Sequence, residues 1–127
     1  MAETRPDVKL RIPAESAYLS VLRTVTAGLA ARLDFTLDDI EDLRIAVDEA
    51  TAMVLPQTLP DSDLSCSFFL SKARLDVTVT AACDAPRPPS QEGFAWTVLS
   101  ALTSSLDASV DGNTLTISLS RVSSEAE

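Results

Sequence analysis

Hydrophobic and polar positions alternate over residues 8–12, where Lys9 and Arg11 separate Val8, Leu10 and Ile12. A period of two is that of a half-buried strand, and Pro13, which has no N–H for a ladder, ends it. From Glu15 to Leu33 the period lengthens. Tyr18, Leu22, Val25, Leu29 and Leu33 recur every three or four positions and outline one face of a long helix. Thr36, with Asp39 three residues on, reads as the N-cap of a second helix, and Asp38, Asp39 and Glu41 suit the positive end of its dipole. Its buried stripe is predicted to hold Ile40, Leu43, Val47, Ala50 and Val54. Pro56 and Pro60 turn the chain into a loop that reaches about residue 63.

Two β-prone runs come next, 64–70 and 75–79, joined by the short polar link 71–74, which predicts a hairpin. Residues 84–90 contain Pro86, Pro88 and Pro89 and cannot enter a sheet interior. Gly93 introduces a third helix over 94–106, with Phe94, Val98, Ala101 and Leu102 on one face. A second hairpin is expected from 108–110, the turn Asp111-Gly112-Asn113, and the alternating Leu115, Ile117 and Leu119. Strands clustered in pairs imply antiparallel pairing. The expected fold is α+β: a two-layer sandwich of a mainly antiparallel sheet with about three helices on one face. Residues 8–122 form a single domain in this reading, and 1–7 and 123–127 are flexible ends.

Composition narrows the function classes. A chain of 127 residues, 46% hydrophobic but only 5% aromatic, supports one core filled by aliphatic side chains. A net charge of −9 repels a phosphate backbone, so direct nucleic-acid binding is not expected, and a basic protein partner would be attracted instead. Cys66 and Cys83 have no histidine to join them anywhere in the chain, so no metal site is expected and both read as small hydrophobes. Nowhere is an apolar run long enough to cross a bilayer, and no basic segment leads into an N-terminal apolar stretch. The sequence thus reads as a cytoplasmic protein, with no membrane partner.

The most distinctive stretch is Asp42-Leu43-Arg44-Ile45-Ala46-Val47-Asp48-Glu49-Ala50-Thr51 on the second helix. By its residues alone it presents adjacent carboxylates, with Arg44 four positions before Asp48 as an ion pair on a solvated face. The stretch also resembles the helix that carries the catalytic glutamate in the anti-sigma-factor serine kinases of the GHKL ATPase superfamily. The element order, the Leu22-Arg23 pair on the first helix and the Gly93-Phe94-Ala95-Trp96 helix start fall where that family has them. The resemblance implies that Glu49 matches a general base that activates a serine of an antagonist protein toward the γ-phosphate of ATP. It implies that Arg23 matches a partner-contacting position, and that the partners are an alternative sigma factor, an anti-anti-sigma factor and a second copy in a homodimer.

The nucleotide boxes depart from that pattern. Met53 stands where the family places an asparagine that holds magnesium, and a thioether is a poor ligand for a hard cation. Ala81 replaces the aspartate that reads adenine, with Asp84 three residues on as a shifted substitute. Gly93 is retained before the third helix, Ala95 replaces the next glycine, and Phe94 and Trp96 add bulk beside the pocket, with core packing as their expected role. The resemblance and its departures together imply an anti-sigma factor that sequesters its sigma factor without its own Mg-ATP kinase activity. No cofactor is expected, while ATP or another small ligand could still occupy the pocket formed by Met53, Ala81, Asp84, Gly93, Phe94 and Trp96. Two alternatives stand beside it: an active serine kinase acting on an anti-anti-sigma factor, and a small-ligand sensor.

Overall fold

Five runs of alternating character become one sheet in a computed structural model that describes residues 5–124. The strands are β1 (Val8–Pro13), β2 (Asp63–Ser71), β3 (Arg74–Ala82), β4 (Ser105–Asp111) and β5 (Thr114–Val122), in the order β1-β2-β3-β5-β4, and every pairing is antiparallel. Register explains the layering. Leu10, Cys66, Val79, Ile117 and Ala108 lie side by side across the sheet on one face, and Ser67, Thr78, Ser118 and Asp107 on the other. The first row faces the helices; the second is open and carries cross-strand hydroxyl pairs such as Thr80–Thr116 at 3.3 Å.

Three helices, α1 (Leu19–Arg32), α2 (Leu37–Val54) and α3 (Phe94–Ala101), cover the apolar face. α2 is central. It rests on β3 and β5 with α1 and α3 against it, and buries Leu43, Ala46, Val47, Ala50 and Val54 completely. Thr36 is the N-cap anticipated from the sequence, its hydroxyl accepting from the Asp39 N–H at 3.1 Å. The two-layer α+β architecture is the one expected, and no described helix is long and apolar enough to cross a membrane.

Several local expectations are corrected. A 3-10 turn (Ser16–Tyr18) precedes α1, so Tyr18 lies outside the helix and is exposed, and the fully buried line of α1 is Leu22, Thr26 and Ala30. Val25, Leu29 and Leu33 pack only at its margin. The third helix ends at Ala101 rather than near 106: the Thr103 hydroxyl bonds back to the Leu99 carbonyl, and the Ser104 N–H already donates to Ser120 at 2.7 Å. Hydroxyl side chains compete with helical hydrogen bonds in this way, which hands Leu106 to β4. Phe94 does not pack in the core. It is 84% exposed, and α3 buries Trp96 and Leu99 instead.

Residues 1–4 and 125–127, parts of the ends read as flexible, lie outside the described residues. Within the described part of those ends, Asp7 donates its N–H to Phe68 at 2.8 Å and accepts from the Leu70 N–H, and Ser123 donates to the Ala73 carbonyl.

Candidate functional site

The distinctive helix segment ends at a cleft. Glu49 and Met53 stand one turn apart on α2, whose run stops at Val54 because Pro56 follows; a single 3-10 turn (Leu55–Gln57) then leads away. The next residues dock on the end of β3 through a bridge between Thr58 and Cys83 and a Leu59 N–H bond to Ala82 at 3.1 Å. The chain leaving β3 returns over the same region as residues 84–92. Between the two loops lies a cleft of about 770 Å³, with Met53 and Leu59 on one side and Asp84, Ala85 and Pro88 on the other.

Gln57 joins the two walls. Its Oε1 accepts from the Arg87 N–H at 2.8 Å, and its Nε2 donates to the Arg87 carbonyl at 3.1 Å and to the Met53 carbonyl at 3.3 Å. The side-chain amide thus pairs with a backbone amide in both directions, as a neighbouring strand would. Ala85, beside it, holds φ 50°, a left-handed conformation that glycine adopts without penalty and alanine does not.

Of the residues expected in the pocket, the structure brings Met53 and Asp84 to this cleft and leaves the others elsewhere. Ala81 is 3% exposed and sits on the helix-facing side of β3 between Leu64 and Leu115. Gly93 is the N-cap of α3, Phe94 projects to solvent, and Trp96 packs beneath. Glu49 is half-buried, and among the described residues its carboxylate makes no hydrogen bond or ion pair. The ion pairs differ from the one read off the helix: Arg44 reaches back to Glu41 at 3.0 Å, and Asp48 is taken by Arg23 of α1 at 2.9 Å. Both members of the Arg23–Asp48 pair keep about two fifths of their side chains exposed. Gln57, Arg87 and the prolines facing each other across the cleft were not anticipated as a site; each loop was legible, but their proximity was not.

The residues present do not suit Mg-ATP. A magnesium ion near α2 would meet the Met53 thioether instead of an oxygen. Ala81 offers adenine no acceptor. Backbone N–H groups are what cradle phosphates, and over residues 86–89 Pro86, Pro88 and Pro89 have none, while the Arg87 N–H is taken by Gln57. Among the described residues no three acidic or cysteine side chains converge as a metal site.

Comparison with known proteins places these features in context. The chain is 32% identical over 105 residues to the anti-sigma-F factor RsbW of Mycobacterium tuberculosis, covering 83% of this chain and 62% of that protein. It is 37% identical over 75 residues to the serine-protein kinase RsbW of Bacillus velezensis, covering 57% of this chain and 47% of that one. A third relative, the serine-protein kinase RsbW of Halalkalibacterium halodurans, is 36% identical over 74 residues, 58% of this chain and 46% of the relative. The chain therefore spans less than two thirds of the length of these relatives. A solved structure of the RsbU and RsbW domains of a Mycobacterium tuberculosis protein matches 96% of this chain, and 33% of that one, with a TM-score of 0.69 at 15% identity, which shows a shared fold. No protein-family model matches the chain.

Proposed function

Taking its homology to the RsbW anti-sigma factors and kinases as the premise, we propose that this chain is a cytoplasmic anti-sigma factor that binds and sequesters an alternative sigma factor without Mg-ATP phosphotransfer. The observation that carries this reading is the cleft: at the end of the helix bearing Glu49, Met53 stands in place of an oxygen ligand for magnesium, and over residues 86–89 three prolines have no N–H while that of Arg87 is used by Gln57. Loss of phosphotransfer leaves the outer surface of α1 and α2 intact, where Arg23 can offer a bidentate guanidinium to a carboxylate on a partner. An acidic chain of net charge −9 is also drawn to basic protein surfaces.

The test is direct. Purified chain, mixed with each alternative sigma factor of its source, is expected to elute as a stable complex, and an anti-anti-sigma factor is expected to compete for it. If none of the sigma factors binds, this reading fails. Sedimentation of the chain alone tests the homodimer that the resemblance implies.

Glu49 motivates a second reading, because its carboxylate is unengaged and stands one turn from the cleft. An active serine kinase would transfer phosphate from ATP to an anti-anti-sigma factor. Phosphoserine that forms with Mg-ATP and vanishes in Glu49→Gln would establish that activity and remove the claim of lost catalysis, leaving sigma binding to be judged separately.

A further inference from the structure

A second cavity, of about 580 Å³, opens at the margin of α1. Leu29 and Leu33, one turn apart on the helix, form one wall, and Val8 of β1 with Leu70 of β2 forms the other. These four aliphatic side chains pack against the core yet keep part of their surface open. No aromatic side chain lines the cavity. Two cations stand at it, Arg32 from the last turn of α1 and Lys72 from the β2–β3 turn.

Both charges are unpaired. Elsewhere Arg11, Arg23, Arg44, Arg74 and Arg121 are each held by a carboxylate, whereas among the described residues the side chains of Arg32 and Lys72 have no ion-pair or hydrogen-bond partner. The carboxylate that lines the cavity, that of Asp7, is turned to the backbone and accepts the Leu70 N–H at 2.7 Å. Carbonyls at the end of α1 are met by the N–H groups of Leu33, Asp34 and Phe35, which leaves the Arg32 guanidinium free for a ligand.

We infer that this cavity binds a small aliphatic carboxylate, its chain laid between the two apolar walls and its head held by Arg32 and Lys72. Small-molecule sites combine an apolar lining with a few convergent polar groups, and a guanidinium beside an ammonium suits a carboxylate through charge-assisted hydrogen bonds. Walls without an aromatic ring favour a flexible chain over a planar one, which would stack. A net charge of −9 repels anions from most of the surface, so a site with two unpaired cations is where one settles. The cavity shares no residue with the cleft beside Met53 and does not include Arg23, so the inference stands independently of sigma-factor binding.

Octanoate is the probe, titrated into the full, methyl-labelled chain and followed by NMR, with octanol supplying the chain alone and acetate the head alone. Octanoate is expected to shift the methyl signals of Val8, Leu29, Leu33 and Leu70, to leave the Met53 ε-methyl unmoved, and to bind at least about tenfold more tightly than octanol or acetate. Arg32→Gln combined with Lys72→Gln, both at exposed positions, is expected to weaken octanoate about tenfold and to leave octanol unchanged. Octanol binding as tightly as octanoate, a double variant that matches wild type, shifts centred on Met53, or no saturable shift at all overturns the inference.

Discussion

Arg121, near the end of β5, donates from Nη2 to the Asp39 carboxylate in the first turn of α2 at 2.7 Å, across 82 residues of sequence. The other carboxylate oxygen accepts the Ser124 N–H and hydroxyl, both at 2.9 Å, and the Thr36 hydroxyl at 3.0 Å. The same guanidinium reaches Asp42 at 3.2 Å and the Leu102 carbonyl just past α3 at 2.8 Å. One buried carboxylate and one arginine therefore fasten the start of α2, the end of α3 and the end of β5. A buried charge is tolerable only when its hydrogen bonds are met, as they are here.

Burial by itself would raise the Asp39 pKa, but the hydrogen bonds from Ser124, Arg121 and Thr36 outweigh it and hold the carboxyl well below the usual range. A depressed folded value means that the ionised carboxylate contributes stability above the unfolded value of about 3.9, and that the contribution is lost as pH falls below it. Asp39→Asn is expected to lose about 3 kcal/mol at neutral pH, because it leaves Arg121 partly unpaired, and to show a shallower decline below about pH 4. Urea melts at pH 7, 5 and 3 measure both. Equal stability of variant and wild type at pH 7 would show that the pair contributes nothing.

Half of that network was legible in the sequence. Thr36 and Asp39 announce a cap because capping is local, and the alternation of the strand segments gives the sheet because its period needs no partner. Arg121 carries no such mark; its pairing depends on the sheet order that brings β5 beneath α2. The end of α3 was misplaced for a related reason: Leu102 and Leu106 continue a helical spacing, and only the pairing of β4 with β5 shows that Ser104 has left the helix. The site was missed where it depends on contact across the chain, since nothing near Gln57 points to Arg87 thirty residues away.

Two backbone positions are poorly matched to their residues. Gly28 lies inside α1 with no atom beyond its chain neighbours and its own helix backbone within 4 Å of where a Cβ would be, so Gly28→Ala is expected to raise stability by about 1 kcal/mol. Ala73 turns the β2–β3 hairpin at φ 59°, and Ala73→Gly is expected to add about 0.5–1 kcal/mol. Being on different elements, the two should add in the double variant. Urea midpoints at constant m-value check all three.

Cys66 predicts the opposite limb of the pH profile. Burial in the core pushes its thiol up to about 12, so the folded chain keeps it neutral where the unfolded chain ionises. Above an unfolded value of about 8.5, stability is expected to fall with pH by up to about 1.4 kcal/mol per unit from this group. Cys66→Ala removes that component, at some cost from the vacated volume. The gap between wild type and variant should therefore narrow between pH 8 and pH 10.5; a constant gap would show that Cys66 ionises alike in both states.

Arg23 and Asp48 allow an intrachain role to be separated from a role at a partner. As a half-exposed pair at 2.9 Å, their coupling is expected to be under about 1 kcal/mol, so neither Arg23→Ala nor Asp48→Ala should unfold the chain. Exchanging them, Arg23→Asp with Asp48→Arg, rebuilds the attraction within the chain while moving the positive charge from α1 to α2. If Arg23 acts only to hold the helices together, the exchanged variant should match wild type in both stability and sigma-factor binding. Under the proposed function it is expected to match in stability and to bind at least tenfold more weakly, since a displaced guanidinium loses its carboxylate on the partner. Titration calorimetry against the sigma factor, alongside urea melts of the free chain, measures the two effects separately.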